Sequence, residues 1–291
     1  MSAIPPTPLE PWRTKLRLGA SSWTAEGWLG SFYPEGTKSA DYLGHYATHF
    51  DVVEADVTYY RIPSAKMVAN WRERTPPGFL LAAKFPRAIV HGGDGAKPDP
   101  ARVLVPGAVG DEVANFLTVM QGLGDRCGPL LLQFPYFNQQ VFRGPDEFLR
   151  RLDDFLGHLP ADFRYAVEVR NKAYVAQPLL DVLRRHRVCL ALVDLHYMPH
   201  PDTWLDRLDL ATADFGYVRL IGNREVTEAR TKVFDREYVD QSEGLARWAA
   251  FLRGLAARLP VTFVFANNHY AGHAPATLRR LQQLLAVPAA G

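Results

Sequence analysis

Residues Phe163–Asp194, FRYAVEVRNKAYVAQPLLDVLRRHRVCLALVD, read as a strand, a helix and a second strand. "RYAVEVR" alternates valines with other residues, and "VCLALVD" is a short apolar run of strand length. Between them, "QPLLDVLRRHR" carries an early proline and apolar residues at helical spacing. A strand, a helical crossover and another strand make a parallel pair.

The same alternation runs along the whole chain. Strand-like runs are LRLGASSW from Leu16, VVEADVTYY from Val52, FLLAAKF from Phe79, GPLLLQFP from Gly128, FGYVRLIG from Phe215 and VTFVFANN from Val261, besides the two above. Helical patterns lie between them, among them SAKMVANWRERT, DEVANFLTVMQGL, PDEFLRRLDDFLGHL and SEGLARWAAFLRGLAARL. Eight such units are the number that closes a (β/α)8 barrel of the TIM type, with parallel strands and an active site at their C-terminal ends. An open doubly wound sheet is the alternative. No linker divides residues 1–291, so one barrel domain is expected, with residues 1–15 as a proline-rich tail. Two long loops, after the third and seventh strands, have the length of lids or binding loops.

The strand "RYAVEVR" also poses a chemical question. Glu168 and Arg170 lie on one face of a buried strand, where an unpaired charge costs several kcal/mol. Period-two parity groups them with Lys84, Gln133, Asp194, Arg219, Glu54 and Asp56, each at the C-terminal end of its strand. A polar cluster from six strands at one end of a barrel points to a site there, although a purely structural ion-pair network competes with that reading.

Composition narrows the function classes. The net charge is +2, from 33 basic and 31 acidic residues, so no whole-molecule field favours nucleic acid or membrane. Cys127 and Cys189 are isolated and fit buried thiols of a reducing compartment. The N-terminal sequence lacks a basic-then-apolar leader, and no apolar run is long enough to cross a membrane, so a cytoplasmic location is expected.

Several segments, in order, resemble one known family: GASSWTAEGWLGSFYPEG, VVEADVTYYRIPS, FLLAAKFPRAIVHG, GPLLLQFPYF, YAVEVRNKAY, GYVRLIGN and FVFANNHYAGHAPATL. Together they are similar to the YecE-like family, domain-of-unknown-function family 72, over roughly Leu16 to Leu285. The resemblance implies a TIM-type barrel and no particular reaction. Asp56 stands where the family pattern resembles Asn, and Ile221 replaces a histidine, which puts any mechanism built on that histidine in doubt.

The residues themselves lead to an enzyme using acid/base chemistry on a small polar or anionic substrate, of hydrolase or isomerase type. Glu168 and Asp194 are the expected catalytic pair. Lys84, Arg170 and Arg219 are expected to bind negative charge, with Gln133, Glu54, Asp56, Trp23, Asn267 and Asn268 completing the substrate site. No redox cofactor fingerprint appears; "HGGDG" follows a strand but does not lead into a helix. A non-catalytic module for nucleic acid or a metabolite is the second reading. A metal-dependent phosphoesterase or isomerase is the third, with an O/N-ligated divalent ion. The histidine pairs His196/His200 and His269/His273 have a metal-like spacing, but Pro199 and Gly272 argue against the helix that spacing needs.

Overall fold

The computed structural model describes residues 14–287. Of the expected tail, residues 1–13 lie outside that range.

The eight expected strands form: β1 (Leu16–Ala20), β2 (Val52–Ala55), β3 (Leu80–Lys84), β4 (Cys127–Gln133), β5 (Tyr165–Glu168), β6 (Cys189–Leu195), β7 (Phe215–Gly222) and β8 (Val261–Ala266). They build one parallel sheet in the order β1-β8-β7-β6-β5-β4-β3-β2. This is a nearly closed barrel, with helices between the strands and β1 beside β8.

The seam lies between β1 and β2, which meet closely without a ladder among the described residues. A Cβ on Gly19 would stand 2.0 Å from the Val52 carbonyl oxygen, so only glycine fits there. Tyr46 fastens the seam: its hydroxyl accepts from Ala20 N at 2.7 Å and donates to Val52 O at 3.0 Å.

The helices, in chain order, are α1 (Tyr42–Tyr46), α2 (Ala65–Glu73), α3 (Arg87–Val90), α4 (Pro106–Gln121), α5 (Pro145–Gly157), α6 (Gln177–Arg185), α7 (Arg224–Glu228), α8 (Ser242–Arg258), α9 (Asn268–Ala271) and α10 (Ala274–Ala286). Among the described residues no helix is long and apolar enough to cross a membrane. Proline in the first turn of α4, α5, α6 and α10 sets φ where no N–H is needed. Amphipathic faces then bury Phe116, Phe148, Leu152, Leu183, Trp248 and Leu281.

Two apolar layers result. An outer one packs between strands and helices and contains Leu81, Leu132, Val167, Leu190, Leu192 and Val218. An inner one fills the lumen with Val52, Ala82, Leu131, Ala166, Cys189, Ala191, Tyr217 and Phe265. Above the inner layer, toward the C-terminal ends of the strands, the lumen residues become polar. That change of character marks the candidate site.

Both long loops carry short helices. The loop after β3 begins with α3, and the loop after β7 holds α7 before returning to α8. The latter is docked rather than loose: Tyr238 N and Val239 N both donate to Ala271 O. It also lies on Gly27, where a Cβ would come within 1.7 Å of Val233 O.

Candidate active site

The floor of the barrel mouth is organised by Arg219 of β7, which is 1% exposed. Its Nε and Nη2 donate to the Glu54 carboxylate at 2.9 Å each, while Nη1 donates to Gln133 Oε1 at 2.9 Å and to Glu168 Oε2 at 2.5 Å. Tyr217, two residues earlier on the same face, donates its hydroxyl to Glu54 Oε2 at 2.6 Å. Glu54 and Glu168 are both fully buried. Each survives desolvation because a guanidinium is held against it.

Arg170 approaches from above and donates through Nε to Glu168 Oε1 at 2.9 Å. Glu168 thus lies between two guanidiniums. Burial alone would raise its pKa, but Arg219 and then Arg170 overcome that and hold it at about 2. Lys84 ends β3, its ammonium hydrogen-bonded to the Asp56 carboxylate and 3.8 Å from Glu54 Oε1. Asp56 belongs to the 3₁₀ turn that follows β2, yet it still reaches the floor. Thr58 in that turn fixes the arrangement, accepting from Lys84 N at 2.9 Å and donating to Lys84 O at 2.8 Å.

The structure therefore brings together Glu54, Asp56, Lys84, Gln133, Glu168, Arg170 and Arg219, and it leaves out two residues expected with them. Asp194 points to the helix side of β6, where its carboxylate accepts from Trp248 Nε1 of α8 at 2.6 Å; burial raises its pKa. The expected parity of β6 is inverted. The small side chains of Cys189 and Ala191 occupy the lumen, and Leu190 and Leu192 take the roomier layer under the helices. Trp23 is the second: it packs edge-on against Trp71 of α2, 5.5 Å between ring centroids, away from the charged floor.

Asn267 and Asn268 follow β8. Asn267 Oδ1 caps α9 by accepting from His269 N at 2.9 Å. Asn268 Oδ1 accepts from Trp28 Nε1 at 3.1 Å and from Ala274 N at 3.0 Å. Of the spaced histidines, His269 faces Asn267 and Glu228, His273 caps α10, and His200 sits against Asp202 and Trp248. Among the described residues no cluster of three or more His, Cys, Asp or Glu side chains is arranged to hold a metal ion. Ile221 is half-buried two residues beyond Arg219.

Three mouth residues did not stand out in the sequence. His91, at the end of α3, is 5% exposed, and its Nε2 meets the Tyr59 hydroxyl at 3.0 Å. Burial, then Arg87, lowers its pKa to about 4, so its ring is neutral at neutral pH. Burial raises the Tyr59 pKa against the opposing pull of Arg170 and Arg87, and the Lys84 ammonium stands 5.7 Å from the centre of its ring. Arg87 opens α3 close to both, and no acceptor among the described residues reaches its buried Nε. Its position three residues after Lys84, just past a strand end, was the available signal.

A family model described as "Protein of unknown function DUF72" matches residues 17–291. The UPF0759 protein YecE of Escherichia coli K12 is 37% identical over 160 residues, 55% of this chain and 50% of that protein. YunF of Bacillus subtilis strain 168, also a UPF0759 protein, is 25% identical over 165 residues, 56% of this chain and 54% of that one. The matches thus span about half the length of these curated relatives. A DUF72 crystal structure from Thermotoga maritima superposes with a TM-score of 0.69 at 23% identity, covering 93% of this chain and 99% of that one. Another, from Enterococcus faecalis, gives 0.68 at 20% identity, covering 94% and 97%. At such identities these two structures bear on the fold.

Proposed function

For a chain that belongs to the DUF72 family, described as of unknown function, we propose an enzyme whose barrel mouth binds a small anionic substrate and moves a proton on it. The observation that carries this reading is the surplus of cations at the mouth, one of them with a buried donor left unpaired. Arg219 is fully used by Glu54, Gln133 and Glu168. Arg170 gives Nε to a carboxylate and also meets the Tyr197 hydroxyl, with part of its guanidinium open to solvent, and the buried Nε of Arg87 has no acceptor among the described residues. Four cations, Lys84, Arg87, Arg170 and Arg219, stand against three carboxylates, Glu54, Asp56 and Glu168. A buried donor without a partner costs about 1–3 kcal/mol, and an anion spanning Arg87 and Arg170 removes that cost with charge-assisted bonds.

The proton work falls to Tyr59 and His91 in this reading. A carboxylate held at about 2 is a poor base and holds no proton to donate at neutral pH. Glu168 instead fixes Arg170 in place. His91, hydrogen-bonded to the Tyr59 hydroxyl, is a weak base at about 4 in the empty mouth, and an anion bound beside Arg87 raises that value, so that the pair can then accept a proton from the substrate or return one.

Calorimetric titration with inorganic phosphate tests the anion site. We expect saturable 1:1 binding that weakens at least tenfold in Arg170→Lys and in Arg87→Lys, because an ammonium cannot reproduce the guanidinium fork. Binding that ignores both substitutions, or no binding at all, would overturn the reading. An affinity for single-stranded oligonucleotides that exceeds that for phosphate and falls steeply with salt would favour a binding module instead.

A further inference from the structure

A second compartment adjoins the charged floor. It is a cavity of about 160 Å³ on the β1–β8 side of the mouth, lined by Ser21, Ser22, Asp56, Asn267, Asn268 and His269, with the Trp28 and Phe234 rings as apolar walls. Resting on the anion-site reading above, we propose that this cavity is a hydroxyl-binding subsite, so that the substrate is a polyhydroxylated anion: a small sugar or polyol carrying one phosphate or carboxylate group.

Ser21 is 3% exposed, and its hydroxyl has no hydrogen-bond partner among the described residues, although its backbone N–H is satisfied by Ala266 O. A buried hydroxyl lining a cavity, with nothing to bond, is a place for a ligand's polar atom. The two carboxamides point to the same chemistry. Their oxygens are consumed by the cap of α9, the Trp28 indole and Ala274 N, which leaves both amide NH2 groups as donors. Asp56 binds Lys84 through Oδ1, so its Oδ2 remains an acceptor. Neutral donors, one carboxylate acceptor and one hydroxyl able to do both are the set that recognises several adjacent hydroxyls, each being donor and acceptor at once. An aliphatic tail would leave all of these groups unpaired, and a second anion would meet the Asp56 carboxylate.

Size and position agree. At about 30 Å³ per water-sized group, 160 Å³ holds roughly five such groups, that is two or three carbons with their hydroxyls, the rest of a short chain running toward the floor. Asp56 belongs to both compartments, since it lines the cavity and holds Lys84. A ligand can therefore rest its hydroxyls in the cavity while its charged end reaches the cationic floor.

Parallel titrations with inorganic phosphate, ribose 5-phosphate, ribonate and ribitol, on wild type, Ser21→Val and Ser21→Ala, test the assignment. We expect ribose 5-phosphate or ribonate to bind at least tenfold more tightly than phosphate. Whichever of the two does so identifies the anionic group. Ser21→Val, which narrows the cavity and removes the hydroxyl, should abolish that advantage and leave phosphate affinity unchanged. Ser21→Ala, which adds no bulk, should show part of the loss and covers the case in which the valine variant does not fold. Equal affinities for phosphate and both sugar anions overturn the subsite, as does a Ser21→Val variant that weakens all ligands alike. If phosphate fails to bind while ribitol binds and is lost in Ser21→Val, the anion site is refuted and the hydroxyl subsite stands alone. If neither binds, both are refuted.

Discussion

Replacing Glu168 by glutamine is expected to destabilise the protein by about 3 kcal/mol at neutral pH. The side chain is fully buried and accepts from Arg219 Nη1 at 2.5 Å and from Arg170 Nε at 2.9 Å. The carboxyl falls from an ordinary 4.5 to about 2 in the fold, which at about 1.4 kcal/mol per pKa unit is roughly 3 kcal/mol. A glutamine oxygen can still accept from one guanidinium, but its NH2 group then meets the other as donor against donor. Arg219 keeps Glu54 as counter-ion, so the loss should stay below the collapse expected on removing Arg219 itself. Melting should fall by about 5–10 °C for a chain of this size. The pH dependence carries its own sign. Because the folded pKa is depressed, Glu168 stabilises fully above about 4.5 and progressively less as pH falls toward 2. The gap between wild type and Glu168→Gln, read by denaturant unfolding at a series of pH values, should therefore narrow across that window. A loss under about 1 kcal/mol at pH 7, or a gap that does not change with pH, would refute the reasoning and return Glu168 to the role of a free proton carrier.

Three other outcomes follow from the packing. Asp194→Asn should leave phosphate binding unchanged and cost less than about 1 kcal/mol, since an amide oxygen still accepts from Trp248, whereas Asp194→Ala should cost about 1–3 kcal/mol by stranding that N–H; thermal unfolding and titration of both variants check this. Tyr46→Phe should cost about 1–3 kcal/mol in urea unfolding, because it unpairs Ala20 N and Val52 O at the barrel seam. Global stability should drop as pH falls from about 6.5 to 4: His91 and His273, both held at about 4 chiefly by burial, stay neutral in the fold while the unfolded chain takes up protons. His91→Gln should flatten that part of the stability–pH curve, and an unchanged curve would count against its burial as a neutral ring.

Much of the fold was legible because barrel strands and their helices announce themselves by period. "QPLLDVLRRHR" became Gln177–Arg185 and "PDEFLRRLDDFLGHL" became Pro145–Gly157 almost residue for residue. α4 starts five residues before the legible part of its pattern, since Gly107 and Gly110 weaken the helical signal where Pro106 begins it. Parity placed Lys84, Gln133, Glu168 and Arg219 in the lumen but failed in β6. There both parities are apolar, and the deciding fact was size: cysteine and alanine inside, leucine outside. Arg87, Tyr59 and His91 were missed for a different reason. They lie in loops, where no period relates a residue to the direction it faces, and only the path of α3 and of the turn after β2 brings them together.

The central claim is that the cationic donors at the barrel mouth hold an anion. A crystal structure of the protein grown with inorganic phosphate tests it most directly. Tetrahedral density bonded to Arg87 and to the Nη nitrogens of Arg170, above Glu168, is the predicted result. Density bound elsewhere, or a mouth in which Arg87 and Arg170 turn away and pair with protein carboxylates, would contradict it.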